Sequence, residues 1–200
     1  MPSAAILAGG RATRFGGLDK GAAIVQGRSI LDRQLTELTQ VTNDILYVGA
    51  NPSAEYRGRL RAVADPLPGL GPLGGLDAAL GAARDDTVLV VAGDMPFLTA
   101  GFLGFLASLI ETEGDLDAVV PRTARGTHPL AAAYRRTCRP RVRTMLATGD
   151  RAMRGLLEGL RVREVAPDEM ARFGNPDLLL ANVNTPADLD QVQSLAGHTR

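Results

Sequence analysis

The chain has 200 residues, and its 22 basic and 22 acidic side chains give a formal net charge of zero. This length is typical of one domain, and the charge balance argues against a nucleic-acid coat protein or a polybasic membrane binder. The single cysteine, Cys138, excludes an intramolecular disulfide, and no apolar run reaches the roughly 18 residues of a membrane span. Since the N-terminus also lacks the basic region of a secretory signal, we expect a soluble cytoplasmic domain.

Short apolar runs alternate with amphipathic stretches of helical length, most regularly over residues 1–110. Strands are predicted at residues 4–7, 44–48, 61–64, 87–91, 117–121, 130–134, 162–165 and 178–183. Helices are predicted at residues 30–38, 54–60, 75–83, 99–110, 139–147 and 151–160 and after Pro186, with Ser29 and Thr99 as N-caps. Residues 67–75 contain two prolines and four glycines, which predict neither a helix nor a central strand. The alternation indicates an α/β fold with a mainly parallel sheet.

A glycine-rich loop, residues 8–21, leaves the carboxyl end of the first predicted strand, where open α/β sheets bind ligands. Gly9 and Gly10 allow the backbone to approach an oxyanion, and Arg14 and Lys20 add two cations, which suits a triphosphate. Lys20 is not followed by Ser or Thr, as a Walker loop requires, and no helix pattern follows Gly10, as a dinucleotide fingerprint requires. The alternative is a turn whose cations are only solvated.

Two acidic residues follow predicted strands. Asp94 lies just beyond the strand at 87–91, where a carboxylate can hold Mg²⁺ against triphosphate oxygens, or can simply cap a turn. Asp65 also lies at a strand end. Its carboxylate can accept hydrogen bonds from the N–H groups of a nucleotide base or from a ribose hydroxyl, although Asp65-Pro66 is equally an ordinary turn.

Asn182 and Asn184 flank Val183 in a predicted extended stretch, so their side chains share a face. Their amide oxygens can complete a metal or substrate site, but Asn184 can equally be the N-cap of the last helix.

The two histidines, His128 and His198, have no Cys or His partner at zinc spacing, which argues against a zinc site. The arginines between residues 135 and 143 form either a solvated helix face or a surface that attracts an anionic ligand.

Together these segments resemble the MobA-like guanylyltransferases, the nucleotidyltransferases that attach GMP to the molybdenum cofactor. The resemblance covers nearly the whole chain, and the matching segments occur in the family's order. They are residues 7–21, Asp65, 71–75, 93–96, 127–130 and 182–189. The first segment alone is shared with many sugar-nucleotide transferases, so the ordered set carries the specificity.

The resemblance implies a three-layer α/β/α sandwich with a mostly parallel twisted sheet, a Rossmann-like nucleotidyltransferase fold of the GT-A-like kind. It implies one domain over residues 1–200, with a nucleotide-binding half at 1–110 and an acceptor-binding half at 111–200. It also implies the residues of a GTP site, which are Leu7, Ala8, Gly9, Lys20, Gly49, Asp65 and Asp94. The implied catalytic residues are Arg14, Lys20 and Asp94, with Asp94 as the ligand of Mg²⁺.

The activity implied is transfer of GMP from Mg·GTP to the terminal phosphate of molybdopterin or Mo-molybdopterin, with release of pyrophosphate. Molybdenum-cofactor delivery proteins or molybdoenzymes would be further partners, and neither nucleic acid nor a membrane is expected. A cytidylyltransferase acting on the same cofactor is an alternative, but that branch tends to carry Ala at the position of Gly9. Another small-molecule nucleotidyltransferase is a further alternative, although the sugar-nucleotide enzymes of this kind are usually longer. A non-catalytic GTP-binding adaptor is disfavoured because Arg14, Lys20 and Asp94 are all present.

Overall fold

A central sheet lies between two layers of helices in the computed structural model, which describes residues 1–8, 23–49, 52–64, 69–185 and 187–188. The strands are β1 (Ser3–Leu7), β2 (Ile24–Val25), β3 (Arg28–Ser29), β4 (Ile45–Gly49), β5 (Arg61–Ala64), β6 (Thr87–Ala92), β7 (Ala118–Thr123), β8 (Gly126–Thr127), β9 (Ala131–Arg135) and β10 (Val162–Val165). The α-helices are α1 (Ile30–Leu38), α2 (Gly71–Ala82), α3 (Ala100–Thr112), α4 (Arg139–Ala147), α5 (Met153–Glu158), α6 (Pro167–Met170) and α7 (Pro176–Leu179).

The main sheet has the strand order β10-β7-β9-β6-β1-β4-β5. Strands β6, β1, β4 and β5 are parallel neighbours, and β10 is parallel to β7, whereas β9 runs antiparallel to both β6 and β7. The register places Ile6 of β1 opposite Tyr47 and Val91. The mostly parallel sheet predicted from the alternation of elements is confirmed.

Both faces of β1 are buried, because successive side chains point to opposite sides of the sheet. Ala4 and Ile6 pack in one core with residues of α1 and α3, and Ala5 and Leu7 pack in a second core with residues of α2 and α4. This pattern explains why the central strands contain continuous apolar runs. The expected three-layer arrangement is therefore the one observed. Within the described ranges, no helix is both long enough and apolar enough to cross a bilayer.

The glycine- and proline-rich run at 67–75 was predicted to contain no helix, but α2 begins at Gly71. Pro72 lies in the first helical turn, where its missing N–H is not needed. Gly75 faces β1 so closely that a Cβ there would lie 3.4 Å from a methyl group of Leu7. Glycine in this helix therefore permits close packing, and the prediction that the run excludes a helix was wrong.

Two other predicted elements differ from the structure. Residues 178–183 were predicted to be a strand, but α7 occupies Pro176–Leu179, and the following residues join no strand. A short apolar run cannot be assigned to strand or helix by periodicity alone. The helix predicted at 54–60 is only a 3₁₀ turn, Ala54–Tyr56.

The predicted caps of α1 and α3 are confirmed. Ser29 Oγ accepts a hydrogen bond from the Asp32 backbone N–H at 3.0 Å, and Thr99 Oγ1 accepts one from that of Phe102 at 3.3 Å. These bonds satisfy backbone donors that have no partner within the helix.

At the amino ends of the central strands, a buried polar cluster joins β1, β4 and β5. The Asp44 carboxylate is 6% exposed and accepts two bonds from Arg61, Nε at 2.9 Å and Nη2 at 3.1 Å. It also accepts bonds from Ser3 Oγ at 2.8 Å and from the Arg84 backbone N–H at 3.2 Å. These bonds anchor the edge of the sheet opposite to the strand ends that carry the predicted site residues.

Candidate functional site

The carboxyl ends of β1, β4 and β6 meet at one edge of the sheet. Leu7 pairs with Val48 on one side and with Ala92 on the other. Gly49 ends β4 with a φ of 116°, in the left-handed region that favours glycine. The structure thus brings Leu7, Gly49 and the turn after β6 that contains Asp94 to one edge of the sheet.

The junction between β1 and β6 is tight. The Gly93 N–H, just beyond β6, donates to the Leu7 carbonyl at 3.0 Å. On the other side of β1, the Ala8 N–H donates to the Val48 carbonyl of β4 at 2.9 Å. A Cβ on Gly93 would lie 3.3 Å from the Leu7 carbonyl oxygen and 3.5 Å from Ala8 Cα. Gly93 therefore allows the start of the glycine-rich loop to lie against the Asp94 turn, a role that sequence analysis did not assign to it.

Asp94 sits in a turn, residues 92–95, held from several sides. Its side chain is largely buried, with the residue 8% exposed. The turn closes through a 3.3 Å hydrogen bond from Met95 N–H to the Ala92 carbonyl, and the Asp94 carbonyl accepts from Val183 N–H at 2.8 Å. These two hydrogen bonds hold the backbone that carries the Asp94 carboxylate in a defined position.

A further contact to this turn comes from α1. Gln34 is 3% exposed, and its Nε2 donates to the Ala92 carbonyl at 2.7 Å and to the Met95 carbonyl at 3.1 Å. The sequence predicted this helix at residues 30–38, but no role was assigned to Gln34. The missed signal was a polar residue on the buried face of that helix, among the apolar residues Ile30, Leu31, Leu35 and Leu38.

The bond from Val183 brings the stretch from Asn182 to Asn184 beside the Asp94 turn. Val183 is buried against Val25 and Ile30, while Asn182 is exposed and Asn184 half-buried. This alternation agrees with the prediction that the two asparagines share a face.

The sequence predicted that Asn184 either caps the last helix or completes a metal or substrate site. The observed capping residue is Thr185. Thr185 Oγ1 accepts from the Asp188 N–H at 3.1 Å, and the Asp188 carboxylate accepts from the backbone N–H groups of Asn184 and Thr185, each at 2.8 Å. These bonds, that from Asn184 first, lower the pKa of Asp188.

The segment 127–130 reaches the same edge through a 2.8 Å bond from Ala92 N–H to the Leu130 carbonyl. His128 Nε2 lies 3.0 Å from Thr123 Oγ1 on the β7–β8 hairpin. Burial, and then the nearby Arg125 charge, lower the pKa of His128, so the ring is neutral near pH 7.

Two arginines near residues 135–143 make internal contacts. Arg139 Nε contacts the buried Asp77 carboxylate at 3.0 Å and ties α4 to α2, and Arg135 Nη2 donates to the Ile110 carbonyl at 2.6 Å. A fully solvated helix face therefore does not describe these two residues.

The donor chemistry at this edge suits a hard divalent cation. Asp94 offers carboxylate oxygens, and the neighbouring asparagines offer amide oxygens, which are the ligand types that Mg²⁺ prefers. Gly9, Arg14, Lys20 and Asp65 lie outside the described residues, so their predicted roles stay predictions.

The fold is that of the α/β nucleotidyltransferases. The crystal structure of molybdopterin-guanine dinucleotide biosynthesis protein A from Archaeoglobus fulgidus superposes with a TM-score of 0.82 at 24% identity, covering 98% of each chain. A nucleotidyl transferase from Methanothermobacter thermautotrophicus superposes with a TM-score of 0.71 at 20% identity, covering 100% of this chain and 99% of that one. The predicted fold class is confirmed.

The sequence model described as the MobA-like NTP transferase domain matches residues 4–165, and the chain belongs to this family. It is 32% identical over 191 residues to the molybdenum cofactor guanylyltransferase of Desulfosudis oleivorans, covering 94% of this chain and 93% of the relative. It is 35% identical over 193 residues to the probable molybdenum cofactor guanylyltransferase of Deinococcus radiodurans, covering 95% and 93%. The resemblance inferred from the motifs is confirmed.

Proposed function

We propose that this chain transfers GMP from Mg·GTP to the terminal phosphate of molybdopterin or Mo-molybdopterin and releases pyrophosphate. The carrying observation is the tight β1–β6 junction, which places the backbone at Leu7 and Ala8 against the turn of Asp94. The names and nearly full coverage of the relatives support guanylyl transfer in particular.

The proposed nucleotide site lies within residues 1–110, and residues 111–200 would bind the acceptor. Leu7, Ala8, Gly9, Gly49 and Asp65 would contact the base and ribose. Gly49 at the end of β4 supports this assignment, because its φ of 116° favours glycine and a glycine carries no Cβ that would obstruct a ligand close to the backbone.

The triphosphate would lie along the loop that follows β1, with Arg14 and Lys20 neutralising its charge. Asp94 would hold Mg²⁺, and the asparagines beside its turn could add oxygen ligands. When bound, the ion supplies charge neutralisation for the phosphate oxygens.

In the proposed reaction an oxygen of the acceptor phosphate attacks the α-phosphorus of GTP in line. The bond between the α-phosphorus and its bridging oxygen to the β-phosphate breaks, and pyrophosphate leaves. A phosphate monoester is already largely ionised near neutral pH, so no general base is required. The protein's task is to orient the reactants and to stabilise charge, as in phosphoryl transfer generally.

The test measures pyrophosphate release from GTP, CTP and ATP, each with and without molybdopterin. We expect release from GTP only when molybdopterin is present. Lys20→Ala and Asp94→Asn should each lower the rate about 100-fold or more, because each removes a charge that acts on the phosphates. Arg154→Ala is the control, since it removes a cation from an exposed helix face.

The remaining outcomes separate the alternatives. Release from CTP instead of GTP would identify a cytidylyltransferase. Tight GTP binding without release under any condition would refute the enzyme and leave a binding adaptor. A cytoplasmic location and handover of the product to a delivery protein or a molybdoenzyme stay predictions.

A further inference from the structure

We infer that Gln34 is a positioning residue for the metal site: its side-chain amide clamps the two ends of the turn that carries Asp94. This inference rests on the proposed function in one respect, namely that Asp94 holds the divalent cation. It concerns a residue on α1 that lies 58 positions from Ala92 in sequence.

The clamp consists of two hydrogen bonds from one nitrogen. Gln34 Nε2 donates to the carbonyls of Ala92 and Met95, at 2.7 and 3.1 Å. These are the residues whose own backbone bond closes the turn around Gly93 and Asp94. The amide thereby fixes the separation of the two carbonyls. The orientation of the Asp94 side chain depends on that separation, because Asp94 lies between the two residues.

The orientation of the amide follows from its neighbours. Rotating it by half a turn would place Oε1 against two carbonyl oxygens, which repel it, so the nitrogen must face the turn. Oε1 is then buried, and it has no hydrogen-bond partner among the described residues. A buried oxygen left in this state destabilises the fold, so the residue is poorly explained by stability alone.

The position also favours a role at the turn over a role in the core. Gln34 lies on the buried face of α1, where the other buried residues are apolar. An aliphatic side chain would pack there without the orphan oxygen, but it could not donate to Ala92 and Met95. The residue therefore brings two hydrogen bonds to the backbone next to the predicted metal ligand, and it leaves one buried oxygen without a partner among the described residues.

The test measures the dissociation constant of Mn²⁺ by electron paramagnetic resonance, in the presence of the unreactive analogue guanosine 5′-(α,β-methylene)triphosphate. The variants are Gln34→Met, which keeps the length and removes both donors, and Gln34→Glu, which turns acceptors toward the two carbonyls. Each should weaken Mn²⁺ binding roughly tenfold, the lower end of the effect of lost outer-shell contacts at metal sites. The KM for molybdopterin should not change, because the turn is expected to contact the metal and not the pterin.

Glu37→Ala is the matched control on the same helix. Glu37 Oε2 accepts from the Ala100 N–H at 2.8 Å, so the variant removes a contact between α1 and α3 without touching the Asp94 turn. It should bind Mn²⁺ as the wild type does. Thermal unfolding of every variant checks that the domain is folded at the assay temperature. If Gln34→Met is not folded, Gln34→Glu provides the test.

The Asp94→Asn variant distinguishes failure of the inference about Gln34 from failure of the proposed metal ligand. If it loses Mn²⁺ affinity while both Gln34 variants keep it, the inference about Gln34 is overturned and the proposed function stands. If Asp94→Asn binds Mn²⁺ as tightly as the wild type, the metal ligand is wrongly assigned and the inference falls with it. Equal weakening in Glu37→Ala would also overturn the inference, because it would show a general effect of disturbing α1.

Discussion

Asp44→Asn should destabilise the domain without altering the candidate site. The substitution keeps the shape of the side chain but removes the charge that faces Arg61, at 2.9 and 3.1 Å, and it alters the bonds from Ser3 and Arg84. Removing one partner of a fully buried ion pair costs about 3–5 kcal/mol. The Arg61 side chain is 39% exposed and can be rehydrated, so we expect about 2–3 kcal/mol.

For a chain of this length, each kcal/mol corresponds to a shift in Tm of about 2–4 °C, so Tm should fall by about 4–12 °C. Differential scanning calorimetry at pH 7 measures the change. Glu164→Gln is the control, because its pair with Arg122, at 2.8 Å, is exposed on both sides and should contribute less than about 1 kcal/mol. The KM for GTP should stay at the wild-type value, since Asp44 lies at the opposite edge of the sheet.

The same variant gives a pH test. Burial by itself raises the pKa of Asp44, but the hydrogen bonds from Ser3 and Arg61 outweigh it, so the pKa lies below its ordinary value. A lowered folded-state pKa means that the stabilisation is complete above the unfolded pKa of about 3.9 and is lost as the pH falls through the folded value. The gap in stability between wild type and Asp44→Asn should therefore close in that acidic range. A loss no larger than that of Glu164→Gln at pH 7, or a gap that stays constant with pH, would refute the reasoning.

Three further predictions concern the site and the core. Gly93→Val should cost about 1–3 kcal/mol in chemical denaturation and raise the KM for GTP, because its Cβ meets the Leu7 carbonyl; an unchanged KM would show that the junction does not support nucleotide binding. Lys20 is the only lysine of the chain. Lys20→Arg should impair pyrophosphate release because a planar guanidinium replaces a compact ammonium, and full activity would show that the choice of lysine at this position is incidental. Burial, with the nearby Asp117 charge, raises the pKa of Cys138 to about 12, so iodoacetamide should label it at pH 8 only after unfolding. Rapid labelling of the native protein would contradict that environment.

Much of the fold could be predicted because local rules and tertiary packing agree along this chain. The apolar runs at β1 and β6 are buried on both faces, and Ser29 and Thr99 cap the helices expected of them. The prediction failed at Gly71–Gly75, where close packing against β1 overrides the low helix propensity of glycine. It also failed at residues 178–183, where a short apolar run was compatible with either a strand or a helix.

The sequence by itself determined the family and the candidate residues, because spaced motifs such as Gly93-Asp94 and the solitary Lys20 are visible without coordinates. The tertiary structure alone decided that Thr185 caps the last described segment, that Gly93 lies against Leu7, and that Gln34 grips the Asp94 turn. The physical reason is that these are contacts between side chains or backbone atoms whose geometry depends on the folded chain. Local propensities cannot predict that a buried side-chain amide will donate a hydrogen bond to a carbonyl 58 residues away in the sequence.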